Sequence, residues 1–313
     1  MVGRAVLDLA RVFTLGGLLA GGPSCANRVP EARTAAVARV EGRGGWVSHD
    51  FRAFETVSPE PTRGVAFVDL TSHPLTDGDL AQLDLGALGE VYGLGLAGTQ
   101  VTDVALGYVA RLPALQRLLL DHTKITDVGL TQLGGLGELR RLSLSHTRIT
   151  DPGLAALGRL SKLRALYLGH TAIDGSGLGA LQASSATLEE LVLDHTTVDD
   201  RGVAVLGRLP RLRRVSLVGT RVTDAGLASL RALVDLRSLQ LDATSVTAAG
   251  LGPVVGLTHL QDLSLDDTAM KDQAVPSLAR LTSLKLLSLV GAGLTPKAIA
   301  ALKTALPSTE IRN

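Results

Sequence analysis

The chain contains few aromatic residues and a single cysteine among its 313 residues. Aromatic residues make up 3% of the chain and hydrophobic residues 45%, so the core must be aliphatic. Cys25 alone cannot form an intrachain disulfide or a cysteine-based zinc site. The formal net charge of +1 excludes a strong global field that would attract nucleic acid or a membrane surface. Beyond the N-terminus, no uninterrupted apolar run is long enough to cross a bilayer.

What the chain has in abundance is one repeated phrase. From Leu115 it reads LQRLLLDHTKITDVGLTQLGGL, and from Leu139 it reads LRRLSLSHTRITDPGLAAL. The phrase opens ten times, in steps of 24 to 26 residues, at Val65, Val91, Leu115, Leu139, Leu163, Leu188, Leu212, Leu236, Leu260 and Leu284. Self-similarity at this period indicates a solenoid, in which each unit buries its apolar face against its neighbours.

Each unit is predicted to be a strand followed by a helix. Leucines two apart in the phrase point to the same side of a strand. The threonine at the ninth position, such as Thr123, ends the strand, and its hydroxyl can bond to loop backbone, so stacked threonines would form a ladder. Either the Thr or the Asp of the Thr-Asp pair caps the next helix, in which Leu130, Leu133 and Leu136 recur at helical spacing. The pattern predicts a right-handed α/β solenoid with a curved parallel sheet on the concave face and helices on the convex face.

The phrase resembles leucine-rich repeats, and among them the cysteine-containing subclass found beside F-boxes and in many bacterial proteins. That subclass reads L-x-x-L-x-L-x-x-C/T-x-x-I-T-D-x-G-L, and threonine here takes the place of its cysteine. The resemblance covers about residues 65 to 310 and implies a leucine-rich-repeat fold, but it says little about function because such repeats serve many unrelated partners. The Thr-Asp pair is altered at Asp174-Gly175, Asp199-Asp200, Ala248 and Lys271, where helices are expected to start less sharply.

Residues 1–26 have features of a bacterial signal peptide. Arg4 and Arg11 precede a short apolar stretch, and small residues surround Cys25. A poorly ordered leader is the alternative interpretation. These features favour export over a cytoplasmic location and restrict any membrane association to the N-terminus.

Residues 27–64 are predicted to form an N-terminal cap, and residues 65–313 the ten repeats with a C-terminal cap. The N-terminal cap is expected to contain a helix within residues 29–40 and a strand within residues 46–51. Its aromatic rings would shield the first repeat, because a terminal repeat must cover an otherwise open core. The last helix is expected over residues 296–306.

Positions between the leucines should form columns across the concave face. The third position of the phrase contributes Arg117, Arg141, Glu190 and Arg214, and Tyr167 lies in the middle of the sheet. Aspartates recur at the seventh position, so the face is basic where strands begin and acidic where they end. This polarity predicts a docking surface for a protein with complementary charge. The alternative is that these charges serve solubility and pair between neighbouring repeats. Nucleic acid is not expected, because acids interrupt the basic column and aromatics are scarce.

Histidines occupy the eighth position of four successive repeats, at His122, His146, His170 and His195. Packing and hydrogen bonding in a column is the leading interpretation. The alternatives are a metal shared between neighbouring imidazoles and a pH-sensitive contact.

No motif of a phosphate-binding loop, a nucleophile elbow or a zinc protease occurs in the chain. We therefore predict a monomeric, non-enzymatic module that binds a protein partner and needs neither metal nor cofactor. One alternative is a substrate-recognition subunit of an F-box complex, and another is a metal-dependent enzyme that uses the histidines. The residues predicted to contact the partner are Arg117, Arg141, Tyr167, Glu190, Arg214, His122, His146, His170 and His195.

Overall fold

The computed structural model describes residues 31–49 and 64–313. Their contacts place Ala32–Asn313 in one compact unit. The predicted signal peptide therefore lies outside the described residues. The strands are β1 (Trp46–Ser48), β2 (Gly64–Val65), β3 (Phe67–Asp69), β4 (Glu90–Val91), β5 (Gly93–Gly95), β6 (Arg117–Leu119), β7 (Arg141–Ser143), β8 (Ala165–Tyr167), β9 (Glu190–Val192), β10 (Arg214–Ser216), β11 (Ser238–Gln240), β12 (Asp262–Ser264), β13 (Leu286–Ser288) and β14 (Glu310–Arg312).

Within the described part of the chain, twelve of these strands form one open sheet. Strand β1 pairs antiparallel with β3, and the pairs from β3 to β14 are parallel and follow chain order, with β2 and β4 forming a separate parallel pair. Leu118 lies opposite Leu142, which in turn lies opposite Leu166. Equivalent positions of neighbouring repeats are therefore adjacent in space, and the predicted α/β solenoid is confirmed.

Short helical segments connect the parallel strands. They are Asp77–Gln82, Leu85–Leu88, Asp103–Val109, Asp127–Leu130, Thr131–Gly135, Asp151–Arg159, Leu178–Ser184, Asp200–Leu206, Asp224–Leu230, Ala248–Gly250, Leu251–Val255, Asp272–Ala274, Val275–Leu278 and Pro296–Ala305. Several are 3₁₀-helices, including the nine-residue Asp151–Arg159 with proline in its first turn. A 3₁₀-helix rises about 2.0 Å per residue and an α-helix about 1.5 Å, so fewer residues span the same distance. None of the described helices is long and apolar enough to cross a membrane.

The core is a stack of aliphatic layers between the strands and the helical segments. Leu118, Leu142 and Leu166 are fully buried, as are the helical leucines Leu130 and Leu133. Burial of such side chains contributes roughly 1.5–3 kcal/mol each relative to the exposed state. Because the leucines come from every repeat, one continuous core runs through the unit.

The ninth-position threonines are buried, and each bonds within its own repeat. The hydroxyl of Thr123 donates to the carbonyl oxygen of Leu120 at 2.6 Å, and that of Thr196 donates to the carbonyl of Leu193 at 2.6 Å. The predicted ladder is therefore a column of separate side chain–backbone bonds, each from a threonine hydroxyl to the carbonyl three residues before it.

The Thr-Asp-x-Gly part of the phrase links neighbouring repeats. Asp200 accepts hydrogen bonds from the backbone N–H of Thr223 at 2.8 Å and from its hydroxyl at 2.6 Å. A Cβ atom on Gly226 would lie 2.5 Å from the Asp200 carboxylate, so glycine provides the space for this carboxylate. Thr223 in turn caps its own helix through Ala225. The threonine thus caps the helix of its own repeat, and the aspartate carboxylate accepts hydrogen bonds from the threonine of the next repeat.

The altered Thr-Asp sites behave differently from one another. Asp199 caps the helix Asp200–Leu206 by accepting from two backbone N–H groups, so the expectation of a weak start is wrong there. Lys271 has no side-chain cap bond and a φ of 52°, as expected for an altered site.

The ends of the solenoid are covered by regular elements. The helix Glu31–Glu41 buries Ala36 and Val40 against the first repeats, and β1 extends the sheet. The ring of Trp46 lies 6.1 Å from that of Phe67 but remains 42% exposed, so small aliphatic side chains also cover the first repeat. Phe51 and Phe54 lie outside the described residues. At the other end, Pro296–Ala305 and β14 cover the last repeat.

Candidate functional site

The open face of the sheet, formed by the second, third and fifth positions of each repeat, carries most of the predicted contact residues. Side chains alternate along a strand, so Arg141 faces outward while Leu142 points into the core. Five third-position residues lie side by side on strands β6 to β10, namely Arg117, Arg141, Ala165, Glu190 and Arg214. The repeat register thus places the predicted arginines and glutamate in one row.

Glu190 is the centre of this row. Its carboxylate accepts a hydrogen bond from Arg214 at 3.1 Å and lies 4.0 Å from the Arg141 guanidinium. Ala165 occupies the strand between Arg141 and Glu190, and its small side chain allows Arg141 to reach across it. The Glu190 side chain is 17% exposed, whereas that of Arg214 is 61% exposed. We call Arg117, Arg141, Tyr167, Glu190 and Arg214 the Glu190 cluster.

Tyr167 lies beneath the charged groups of this cluster. The Arg141 guanidinium carbon is 5.8 Å from the centroid of the Tyr167 ring, within cation–π range. Burial raises the pKa of Tyr167 to about 12, and a hydrogen bond with Glu190 acts in the same direction. The residue is only 9% exposed, so its ring supports Arg141 and Glu190 from below and presents little of its own surface to a partner.

Positive charge dominates the part of the open face that precedes Glu190. Burial lowers the pKa of Arg117, and repulsion from the neighbouring Arg141 lowers it further. The Nε atom of Arg140 is buried and has no hydrogen-bond partner among the described residues. On the Glu190 side, Arg213 pairs with Glu189 at 3.7 Å.

The seventh-position aspartates bond to the following repeat. Asp121 accepts from the Ser143 hydroxyl at 2.5 Å and from the Ser145 backbone N–H at 3.0 Å. Asp194 makes the same pair of bonds, and burial raises its pKa. The acidic side of the predicted polarity therefore has a structural cause, since these carboxylates satisfy backbone donors at the ends of the strands.

The four histidines form a stacked column directly after the strands. Ring centroids are 4.0 Å apart between His122 and His146, 4.0 Å between His146 and His170, and 4.4 Å between His170 and His195. All four residues have φ between 53° and 57°, the left-handed region that histidine enters more readily than most residues. The backbone N–H of each donates to a carbonyl of the next repeat. These contacts are the packing and hydrogen bonding predicted from the sequence.

The geometry of the column gives no support to a shared metal. Rings stacked face to face direct their nitrogen lone pairs along parallel lines, whereas a zinc site needs them to converge at about 2.0–2.1 Å from the metal. No group of three or more histidine, cysteine, aspartate or glutamate side chains in residues 31–49 and 64–313 could hold a metal ion.

The left-handed conformation of the eighth position was not foreseen from the sequence. The signal was present, because glycine stands at the same position in three other repeats, at Gly98, Gly219 and Gly291. Glycine and histidine alternating at one repeat position indicate a positive φ. Gly219 also ends the column, since a Cβ atom there would lie 2.6 Å from the His195 ring.

Comparison with known proteins identifies the repeat. A family model described as "Leucine rich repeat" matches residues 113–173. No curated protein matches the chain. Among solved structures, an internalin from Listeria monocytogenes has a TM-score of 0.52 and 20% identity, covering 95% of this chain and 99% of its own. Internalin C2 from the same organism has a TM-score of 0.48 and 22% identity, covering 85% and 93%. With the stacked strand–helix units described above, the family match and the internalin with a TM-score of 0.52 show that the chain folds as a leucine-rich-repeat solenoid.

Proposed function

We propose that this chain is a non-enzymatic module that binds a protein partner on the open face of its sheet. The observation that carries the proposal is the Glu190 cluster, in which Arg141 and Arg214 from different repeats approach the Glu190 carboxylate. Tyr167 lies beneath Arg141, and Arg117 lies beside Arg141 on the neighbouring strand. Arginine is enriched where protein interfaces concentrate their binding energy. The stacked repeats hold these side chains on a rigid sheet, so little ordering is needed when a partner docks.

The ion pairs within the cluster do not by themselves explain its composition. Exposed pairs contribute about 0–1 kcal/mol each, and the Arg214 side chain is well exposed. Glu190 holds Arg141 and Arg214 in place while leaving other guanidinium N–H groups available. The arrangement suits recognition of planar acceptors such as carboxylates or backbone carbonyls.

Charge reversal on the open face tests the proposal. We expect R141E/R214E to reduce capture of a native partner at least about tenfold, since two clustered contacts of about 1 kcal/mol or more each would be lost. The measurement is affinity purification from the native organism with quantitative mass spectrometry. The matched control is R208E/R231E, which makes the same charge change at two exposed arginines that follow helices. Equal capture by R141E/R214E and the wild type, with both folded by circular dichroism, would place the site off the open face.

A further inference from the structure

The histidine column, formed by His122, His146, His170 and His195, lies beside the Glu190 cluster. Each of the strands β6 to β9 carries one member of the cluster and is followed, three residues after its end, by one histidine of the column. Five residues separate Arg141 from His146, and five residues of chain span at most about 18 Å. A standard protein interface involves roughly 20–30 residues on each side, so a partner centred on the Glu190 cluster also reaches the column.

The column lets the charge of this surface change near neutral pH. An ordinary imidazole has a pKa of about 6.5, within the range in which cells and their surroundings vary, whereas a guanidinium group stays charged. Three of the four histidines are exposed and His146 is half-buried, so the edges of the rings are open to a docked partner. Acidification therefore adds positive charge along one side of the predicted binding surface.

The stacking makes the column unfavourable to charge. Adjacent ring centroids are 4.0–4.4 Å apart, a distance at which two like charges repel. Protonation of one ring therefore disfavours protonation of the next, and the rings titrate as a coupled set. Burial lowers the pKa of His146, and the neighbouring His122 and His170 lower it further. Burial and the neighbouring His195 likewise lower the pKa of His170.

The charged groups around the column do not reverse this preference. Asp121 and Asp194 attract protons to the two central rings, but burial and the neighbouring imidazoles outweigh that attraction. Both carboxylates already accept hydrogen bonds from the end of the following strand. The basic residues Lys124 and Arg148, in the turns that follow the first two histidines, are exposed and add positive charge. The surroundings of the two central rings therefore favour their neutral form.

We infer that the histidine column is a pH sensor of the binding surface, neutral and covered by the partner at pH 7.5, and protonated with release of the partner at pH 5. The inference rests on the proposed function and deepens it by adding its regulation. A partner that covers the ring edges removes water from them, which disfavours the charged imidazole. The imidazole pKa values are then lower in the complex than in the free chain. Affinity is therefore complete above the pKa values of the free chain and falls as the pH drops through them.

Partner capture at two pH values tests the inference with the full chain. The immobilised chain captures proteins of the native organism at pH 7.5, and only those whose capture R141E/R214E reduces are quantified. We expect a wash at pH 5.0 to release at least five times more of these proteins than a wash at pH 7.5. H122N/H146N/H170N/H195N should retain them at both pH values, because asparagine does not titrate and enters the left-handed region readily. The matched control H259N, which replaces an exposed histidine outside the column, should release them as the wild type does.

A titration of the rings tests the coupling without any partner. Nuclear magnetic resonance of the imidazole protons of the full chain follows the protonation of each histidine. H122N should raise the pKa of His146 toward its ordinary value of 6.5, because repulsion between the two stacked rings is lost. H259N should leave the pKa of His146 where it is in the wild type. An unchanged pKa of His146 in H122N would overturn the inference.

The capture experiment separates failure of the inference from failure of the proposed function. Equal release at pH 5.0 and 7.5, stronger capture at pH 5.0, or equal release by the asparagine variant and the wild type would each reject the pH sensor alone, with circular dichroism showing that the chains are folded. Absence of any protein whose capture R141E/R214E reduces would reject both. If the fourfold variant does not fold, H146N/H170N should reduce the release at pH 5.0 at least twofold, and no reduction would contradict the inference.

Discussion

At the scale of single residues, the histidine column is defined by the left-handed backbone conformation of its four residues. A non-glycine residue in the left-handed region pays roughly 1–2 kcal/mol, and the chain places four histidines there in succession. Ring stacking at 4.0–4.4 Å and a backbone hydrogen bond to the next repeat offset that cost. Packing therefore explains the histidine column. The lowered pKa values of His146 and His170 are a consequence of the same packing.

The pH dependence of stability should reveal the two central histidines. Burial lowers the pKa of His146, with added repulsion from His122 and His170 against attraction by Asp121. Burial also lowers the pKa of His170, with repulsion from His195 against attraction by Asp194. The unfolded chain then binds more protons than the folded one below about pH 6.5, so stability falls on acidification through that value. We expect a lower urea midpoint at pH 5.5 than at pH 7.5.

Removal of the two rings is the corresponding variant experiment. H146A/H170A should shrink the difference in urea midpoint between the two pH values, and alanine suits the backbone because Ala243 holds a φ of 52° at the same position. H259A, which removes an exposed histidine outside the column, should leave the difference unchanged. Burial raises the pKa of Asp194 above its ordinary value of 3.8. Protonation of this carboxyl therefore stabilises the folded protein on acidification, at pH values between 3.8 and the raised pKa. An undiminished pH difference in H146A/H170A would contradict the assignment.

At the scale of secondary-structure elements, the Thr-Asp-x-Gly phrase is a connector between repeats. Read as sequence, its aspartate was one of two candidate helix caps. In the structure the threonine caps the helix, while Asp200 binds Thr223 of the next repeat over the space left by Gly226. The three residues belong to two neighbouring repeats, so their relation exists only after the repeats have stacked.

A double-mutant cycle tests this connector. G226A should destabilise the chain by about 1–3 kcal/mol because its methyl group displaces the Asp200 carboxylate. D200A should cost about 1–3 kcal/mol because the Thr223 donors lose their acceptor. The double variant should cost less than the sum of both by about 1 kcal/mol or more, measured by urea unfolding. The control is G179A, where nothing lies within 4 Å of the added methyl group and a gain of about 0.5–1 kcal/mol is expected. Strict additivity of G226A and D200A would disprove the coupling.

At the scale of the whole molecule, stability depends on stacking and on covered ends. Interior repeats are alike and touch mainly their neighbours, whereas the last repeat is covered by Pro296–Ala305 and β14. Ile299, Leu302 and Leu306 of this terminal segment are buried against the core.

Two deletions of similar length should therefore differ in effect. Removal of residues 212–235, one 24-residue repeat, preserves the register and should leave a folded monomer that unfolds cooperatively. Removal of residues 292–313 exposes the last core layer and loses the buried side chains of Ile299, Leu302 and Leu306, worth roughly 1.5–3 kcal/mol each. We expect aggregation in size-exclusion chromatography and strong binding of a hydrophobic dye for the second deletion alone. Similar behaviour of the two deletions would contradict the role of the terminal segment as a cap.

The sequence by itself determined the repeat period, the strand and helix of each unit, the buried leucines and the rows of residues on the open face. These features follow from local periodicity, because a constant repeat length places equivalent residues in register. Only the tertiary structure decided that Arg141 reaches Glu190 across Ala165, that Tyr167 is covered, and that the histidines stack at positive φ. The reason is physical: each of these contacts joins different repeats, so it depends on side-chain length and on the space a neighbouring repeat leaves, which one repeat alone does not encode.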